Sequence, residues 1–389
     1  MGRLFFETGN ISLIKHGEEL CGDCVEMASN ADESTLVLAD GLGSGVKANI
    51  LSTLTAKIIC TMIDHGLSLE ECVSTISQTL PVCNVRKLAY STFTIIKVNN
   101  NLDVSIIQFD NPKVILLRDG KSVDYEVQSK QIADKKITET HFKAQIGDML
   151  IAMSDGAIYA GVGSCMNFGW ELENIIEYAE EHYKHDMSAK MMAVTIAEAC
   201  RDLYDDKPGD DTTIAAVRIR ERMTVNVAIG PPADKNDDEK MLGIFFSMEG
   251  KKVVCGGTTS TIVSRYLGKP VTTDLNYSDP SIPPTGHIDG VDLVTEGVIT
   301  MGRVLEIARM YNSASDFSSQ WRNKTDGASK ICKILFEDAT DVNFFVGRAR
   351  NPAHQNPQLP LDLSLKLRLI EELKKCLESM GKSAKILYF

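Results

Sequence analysis

The stretch TLVLADGLGSG, residues 35–45, carries an apolar run into a carboxylate and then into glycine. Its first half, with Ser34, has the β-branched and aliphatic composition of a strand, predicted over 34–39. Core packing does not explain Asp40 at the end of that strand. A charge at a sheet edge needs water, a partner or a cation. Beyond the glycines, Val46, Ile50, Leu54, Ile58 and Met62 recur at near four-residue spacing, which predicts an amphipathic core helix from about 45 to 65. The glycine loop misses the dinucleotide fingerprint by a residue before its last Gly. It misses the Walker pattern because Ala48 follows Lys47 where Ser or Thr belongs.

The same grammar recurs downstream. DMLIAMSDG ends in Asp155-Gly156, GDDTTIAAVRI sets Asp210 and Asp211 just before a strand, and Gly22-Asp23 occurs earlier. Further strands are predicted at 91–98, 102–109 and 113–118, with turns at Asn99-Asn100 and Asp110-Asn111-Pro112 that imply two antiparallel hairpins. Helices are expected at 68–80, 169–183 and 187–204. Antiparallel strands with helices grouped between them point to an α+β layer sandwich. If the strands that carry them are neighbours, Asp40, Asp155 and Asp210 converge. Three converging carboxylates repel one another and call for a hard cation, Mg²⁺ or Mn²⁺ rather than zinc. Two such ions can lower the pKa of a water and hold a phosphoryl oxygen, which is what phosphate-monoester hydrolysis needs.

In order and approximate spacing, Gly22-Asp23, Asp40-Gly41, Asp155-Gly156 and Asp210-Asp211 resemble the metal-dependent type 2C (PPM) protein phosphatases. The GLGSG continuation is similar to the branch typified by the sporulation phosphatase SpoIIE, and the resemblance runs over about residues 8–220. It implies a four-layer αββα sandwich with two Mn²⁺ or Mg²⁺ ions at one edge. It also implies a phosphoserine or phosphothreonine protein as substrate, in bacterial signalling. Carried over by position, Asp40 bridges both ions, the Gly41 carbonyl binds one, and Asp155 and Asp210 complete the other site. Asp23 binds metal or orients its water, and Asp211 adjoins the set. The resemblance also makes 45–80 a switch element. Two features of the larger family members are missing: Leu42 stands where a His general acid is expected, and no N-terminal phosphate-binding Arg is identifiable near Lys15 and His16.

Charge divides unevenly. Residues 1–222 hold 33 Asp+Glu against 21 Lys+Arg, whereas residues 223–389 hold 20 of each, so the whole formal charge of −12 lies in the first part. An acidic domain repels nucleic acid and membrane surfaces and favours bound cations. No apolar run of about 18–20 residues for a membrane span is read from the sequence. The N-terminus lacks a signal-peptide pattern, and Phe6 excludes myristoylation. The ten cysteines show no framework spacing, and many sit in apolar segments. A cytoplasmic location is the expectation. Cys21 and Cys24 form a lone Cys-x-x-Cys, read as structural with redox control of Asp23 as the minor alternative. His182 and His185 are read as solvated.

Past Gly230-Pro231-Pro232 the pattern changes to alternating strands (about 224–229, 252–255, 291–295, 342–347, 384–388) and helices (237–248, 258–267, 300–312, 327–338, 362–380). This predicts a separate α/β domain, 223–389, with a parallel or mixed sheet. Gly256-Gly257-Thr258-Thr259-Ser260 turns a strand into a helix. Glu296, Arg348, Arg350 and His354 follow other strands. An anionic small ligand at these strand ends is one reading, and helix capping by Thr258 or Thr259 is the other. A regulatory role and a homodimer are compatible with either. Against the phosphatase reading stand a non-catalytic binding module on the same fold and a small-molecule phosphatase.

Overall fold

The computed structural model describes residues 4–30, 32–79, 91–132, 135–273, 283–312, 320–349 and 362–389. The chain divides into two compact units, Met1–Glu221 and Arg222–Phe389.

In the first unit the strands are β1 (Leu4–Leu13), β2 (Asp23–Ser29), β3 (Glu33–Gly41), β4 (Ser91–Asn99), β5 (Asp103–Phe109), β6 (Ile115–Arg118), β7 (Lys121–Ser122), β8 (Gln128–Ile132), β9 (Lys135–Lys143), β10 (Met149–Met153) and β11 (Thr212–Glu221). The helices are α1 (Gly45–Asp64), α2 (Leu69–Thr79), α3 (Asp155–Ile158), α4 (Leu172–His182) and α5 (Ala189–Leu203). One sheet runs β1-β11-β10-β6-β7 and the other β2-β3-β4-β5-β9-β8. Leu36, Leu38, Ile96 and Val98 of the second sheet pack between the layers against Leu116, Leu150, Ala152 and Val217 of the first. On the other side of β3, Val37 and Ala39 meet Ala56, Ile59 and Ile63 of α1, with Val73 and Ile76 of α2. Both faces of β3 are therefore buried, which is why its sequence is a continuous apolar run rather than an alternation. Helix α5 lies on β1 and β11 and completes the αββα order.

Three expectations need correction. The turn at Asn99-Asn100 does join the paired strands β4 and β5, but Asp110-Asn111-Pro112 is a crossover, because β5 pairs with β9 while β6 pairs with β10 in the other sheet. Asp110 has φ +51 there, and Pro112 offers no N–H to continue a ladder. Second, the stripe on α1 is only partly internal. Ile58 and Met62 pack against the core, whereas Val46, Ile50 and Leu54 are 62%, 52% and 48% exposed. On the buried face the first residues are small (Ala48, Ser52, Thr55, Ala56), since the helix meets Gly41 of β3 at backbone contact there, and Ile59, Cys60 and Ile63 follow further along. Third, α1 is by length and composition apolar enough to cross a membrane, which its scattered Lys47, Lys57 and Asp64 obscure in the sequence. In this structure it is the outer layer over β2 and β3.

The second unit contains β12 (Thr224–Ile229), β13 (Lys251–Cys255), β14 (Thr272–Thr273), β15 (Gly286–His287), β16 (Leu293–Thr295), β17 (Asp341–Val346) and β18 (Ser383–Tyr388). Its helices are α6 (Asp238–Ser247), α7 (Gly257–Leu267), α8 (Val298–Tyr311), α9 (Gly327–Cys332) and α10 (Asp362–Ser379). The sheet order is β14-β15-β16-β13-β12-β17-β18. Strands β16, β13, β12, β17 and β18 are parallel, and β14 and β15 add an antiparallel edge, so the sheet is mixed. Helices α8, α9 and α10 share a core with one face, and α6 and α7 with the other.

Candidate functional site

Four acidic segments meet at one edge of the sandwich, but not as neighbours in a single sheet. Asp23 and Asp40 are directly paired across β2 and β3. Asp155, just after β10, and Asp210-Asp211, just before β11, belong to the opposite sheet. The two halves are joined through a serine. Ser154, fully buried, donates its hydroxyl to Asp23 Oδ2 at 2.7 Å, and its Oγ accepts from the Thr213 N–H at 2.9 Å.

The glycines beside the aspartates are steric requirements. A Cβ on Gly41 would lie 2.1 Å from the Ala48 carbonyl oxygen of α1, and one on Gly156 would lie 2.2 Å from that of Asp211. A Cβ on Gly22 would lie 2.7 Å from Asp211 Oδ2. Chain segments thus cross at backbone contact around the acidic set. The Tyr204 hydroxyl donates to the Gly156 carbonyl at 2.7 Å, and the Ser91 hydroxyl to that of Asp40 at 2.9 Å.

Charge and burial act together on these groups. Burial, followed by repulsion from Asp23, Asp155 and Asp210, pushes the Asp40 carboxyl well above the ordinary carboxylate range. Asp23 is raised by burial, opposed by the Ser154 and Thr213 hydroxyls, with Asp211 and Asp155 adding repulsion. Asp155 is raised by burial and by Asp210, and the Gly156 backbone and Lys15 act the other way. Asp211 is raised by burial, against donation from the Lys15 and Gly22 backbones. Its Oδ1 accepts the Lys15 N–H at 3.1 Å, and Lys15 Nζ donates to Asp210 Oδ1 at 3.3 Å.

The donor set is all oxygen and carries excess negative charge, which suits a hard divalent ion. The buried Oδ1 of Asp23 has no hydrogen-bond partner, a vacancy that a cation would fill. The carboxylates feel one another's charge, yet among the described residues no three His, Cys, Asp or Glu side chains close around a single point. The chemistry of these donors fits a divalent ion, although their side chains do not enclose one as they stand.

Ser154 and Lys15 are the members that sequence reasoning did not assign. Ser154 precedes Asp155 in an SDG triplet, but nothing local shows that it bonds to Asp23, 131 residues away. Lys15 was visible only as a basic residue near the start. Cys21 and Cys24 are both free thiols, and burial is the leading cause that raises each. The exposed His182 stacks on Tyr178, and His185 is exposed.

In the second unit the hydroxyls expected at an anion site are committed internally. Thr259 Oγ1 accepts from the Gly230 N–H at 2.9 Å, and Ser260 Oγ donates to the Gly256 carbonyl at 2.9 Å. Glu296 accepts from the Thr300 N–H at the start of α8. Gly256 adopts φ +107, Gly257 lies in open space, and Thr258 is exposed without capping α7. The sheet's switch point between β12 and β17 is closed by main chain: the Gly347 N–H donates to the Ile229 carbonyl, and the Ala349 N–H to that of Pro231. Arg350 and His354 lie outside the described residues.

The two stacked sheets with carboxylates at one edge match the αββα sandwich that the sequence resemblance implies. Residues 30–220, all within the first unit, match the family model of Stage II sporulation protein E (SpoIIE). Stage II sporulation protein E of Bacillus subtilis (strain 168) is 23% identical over 242 residues, covering 58% of this chain. The chain spans only about a quarter (27%) of that curated relative's length. Among solved structures, the PP2C phosphatase domain with a fragment of the regulatory domain of SpoIIE from Bacillus subtilis superposes with TM-score 0.49 at 19% identity. It covers 57% of this chain and 64% of that one. RsbX in complex with magnesium gives TM-score 0.41 at 20% identity, over 56% of this chain and 100% of that one.

Proposed function

We propose that the first unit is a metal-dependent phosphatase that removes phosphate from phosphoserine or phosphothreonine on a partner protein. The observation that supports this most is the meeting of Asp23, Asp40, Asp155 and Asp210 from two sheets at one edge, with the proton affinities of Asp23, Asp40 and Asp155 raised and Asp23 Oδ1 buried without a partner. Asp40, the Gly41 carbonyl, Asp155, Asp210 and Asp23, with Asp211 adjoining, are the groups that would hold two Mn²⁺ or Mg²⁺ ions. When bound, such ions polarise a phosphoryl oxygen and make water nucleophilic near neutral pH. Ser154 fixes the Asp23 carboxylate by its hydrogen bond, so that the unpartnered oxygen remains available. Leu42 offers no proton at the position after Asp40-Gly41, and the leaving oxygen would take its proton from solvent. The second unit is proposed as regulatory.

Hydrolysis of p-nitrophenyl phosphate with and without Mn²⁺ tests the enzyme. A Mn²⁺-dependent rate, lost in Asp40→Asn, is expected. No rate, or one indifferent to that substitution, leaves a non-catalytic module on the phosphatase fold. That second reading draws on the ligands' not being closed around a point. Parallel panels of phosphopeptides and phosphorylated metabolites then separate a protein substrate from a small one.

A further inference from the structure

We infer that Lys15 is a tethered counter-ion that occupies the Asp155/Asp210 half of the site electrostatically and must be displaced when a divalent ion enters. The inference rests on the metal reading proposed above. Lys15 lies two residues past the end of β1, which pairs along its whole length with β11. That pairing carries Lys15 back to the two aspartates that precede β11. Its backbone N–H holds Asp211 Oδ1 at 3.1 Å, which fixes the start of the side chain. Its ammonium is 3.3 Å from Asp210 Oδ1, with the lysine side chain 35% and the aspartate side chain 47% exposed. Its charge also reaches Asp155, where it opposes the repulsion from Asp210. One monovalent cation on a flexible stem thus compensates the two carboxylates assigned jointly to one ion. For Asp23 and Asp40, in the other half, the leading causes that raise the proton affinity are burial and other carboxylates.

A pair this exposed is weak, so displacement by a divalent ion is feasible and its effect measurable. Removing the ammonium unbalances the metal-free site and eases metal entry, two effects of opposite sign that a purely structural lysine would not produce.

The test is calorimetric titration of Mn²⁺ into the full chain and into Lys15→Met, Lys15→Arg and Lys97→Met, with unfolding temperature measured in chelator and in saturating Mn²⁺. Lys97 pairs with Glu33 at the far end of β3, about 20 Å from Asp40 along the strand, and controls for net charge. Lys15→Met is expected to bind Mn²⁺ about three- to ten-fold more tightly. It should also unfold at lower temperature in chelator and level with wild type in Mn²⁺. Lys15→Arg and Lys97→Met should bind as wild type does. Equal or weaker binding by Lys15→Met, with wild type binding normally, overturns the inference and leaves the metal reading standing. If neither wild type nor any variant binds Mn²⁺, the metal reading itself fails and takes this one with it. Lys15→Gln repeats the measurement if the methionine variant does not fold.

Discussion

Asp23 faces Asp40 across the first rung of the β2–β3 ladder, a pairing of like charges that antiparallel sheets normally avoid. The pair makes the metal-free site sensitive to pH. A carboxyl whose folded pKa is raised keeps its proton where the unfolded chain, with a value near 3.9, has lost it. The folded state then binds more protons than the unfolded one, so stability falls as pH rises above about 4 and levels off once the folded group ionises. In chelator, the unfolding temperature should decline from pH 5 to pH 8, and Asp40→Asn should flatten the decline. The asparagine variant should gain about 1–2 kcal/mol at pH 8, a few degrees for a unit of this size. With Mn²⁺ the trend should invert, because the ion takes the place of the proton. Identical pH profiles for wild type and variant would sink the account.

The close backbone crossings predict a sharp glycine hierarchy. Gly41→Ala and Gly156→Ala place a methyl against carbonyl oxygens that cannot retreat, and each should cost about 3 kcal/mol or more. Gly209→Ala meets only the Tyr204 ring at 3.4 Å and should cost less than about 1 kcal/mol. Urea unfolding midpoints measure the contrast, and comparable losses at all three positions would contradict it.

Opposite faces of α1 should respond oppositely to truncation. Ile59 is fully buried, and Ile59→Ala should cost about 2–5 kcal/mol. Ile50→Ser and Leu54→Ser, on the exposed stripe, should stay within about 0.5 kcal/mol. Chemical denaturation resolves the difference, and a large loss at Leu54 would show that the stripe is covered.

Ser154→Ala should cost about 1–3 kcal/mol, since it strands the Thr213 N–H and removes a donor from Asp23. Mn²⁺ affinity should fall as well, because Asp23 loses its fixed orientation. Unchanged affinity in a folded Ser154→Ala protein would remove the serine from the site.

Much of this was legible in the sequence because strand composition and Asp-Gly punctuation are local. The runs at 34–39, 91–98 and 212–219 emerged as β3, β4 and β11 within a residue or two. Strands β1, β8 and β9 were not separately read, since polar residues break up their apolar pattern, as Lys136 and Glu139 do in β9 and as the buried carboxylate Glu7 does in β1. The crossover after Asp110 was missed because a turn signal gives the bend and not the partner strand. The stripe on α1 misled for a related reason. Periodicity finds an apolar face, but close approach to β3 at Gly41 selected small residues on the first half of the buried face, ahead of Ile59 and Ile63. Aspartates spread from 23 to 211 could be grouped by pattern alone, whereas the bond from Ser154 to Asp23 exists only once two sheets are stacked.

That bond has a mechanical meaning. Asp23 and Asp40 ride on one layer of the sandwich, and Asp155 and Asp210 on the other, so anything gripping both pairs is a clasp between layers. Shear of one layer over its neighbour and occupancy of the clasp are then the same coordinate, and a force applied far away on either layer would be read at this edge.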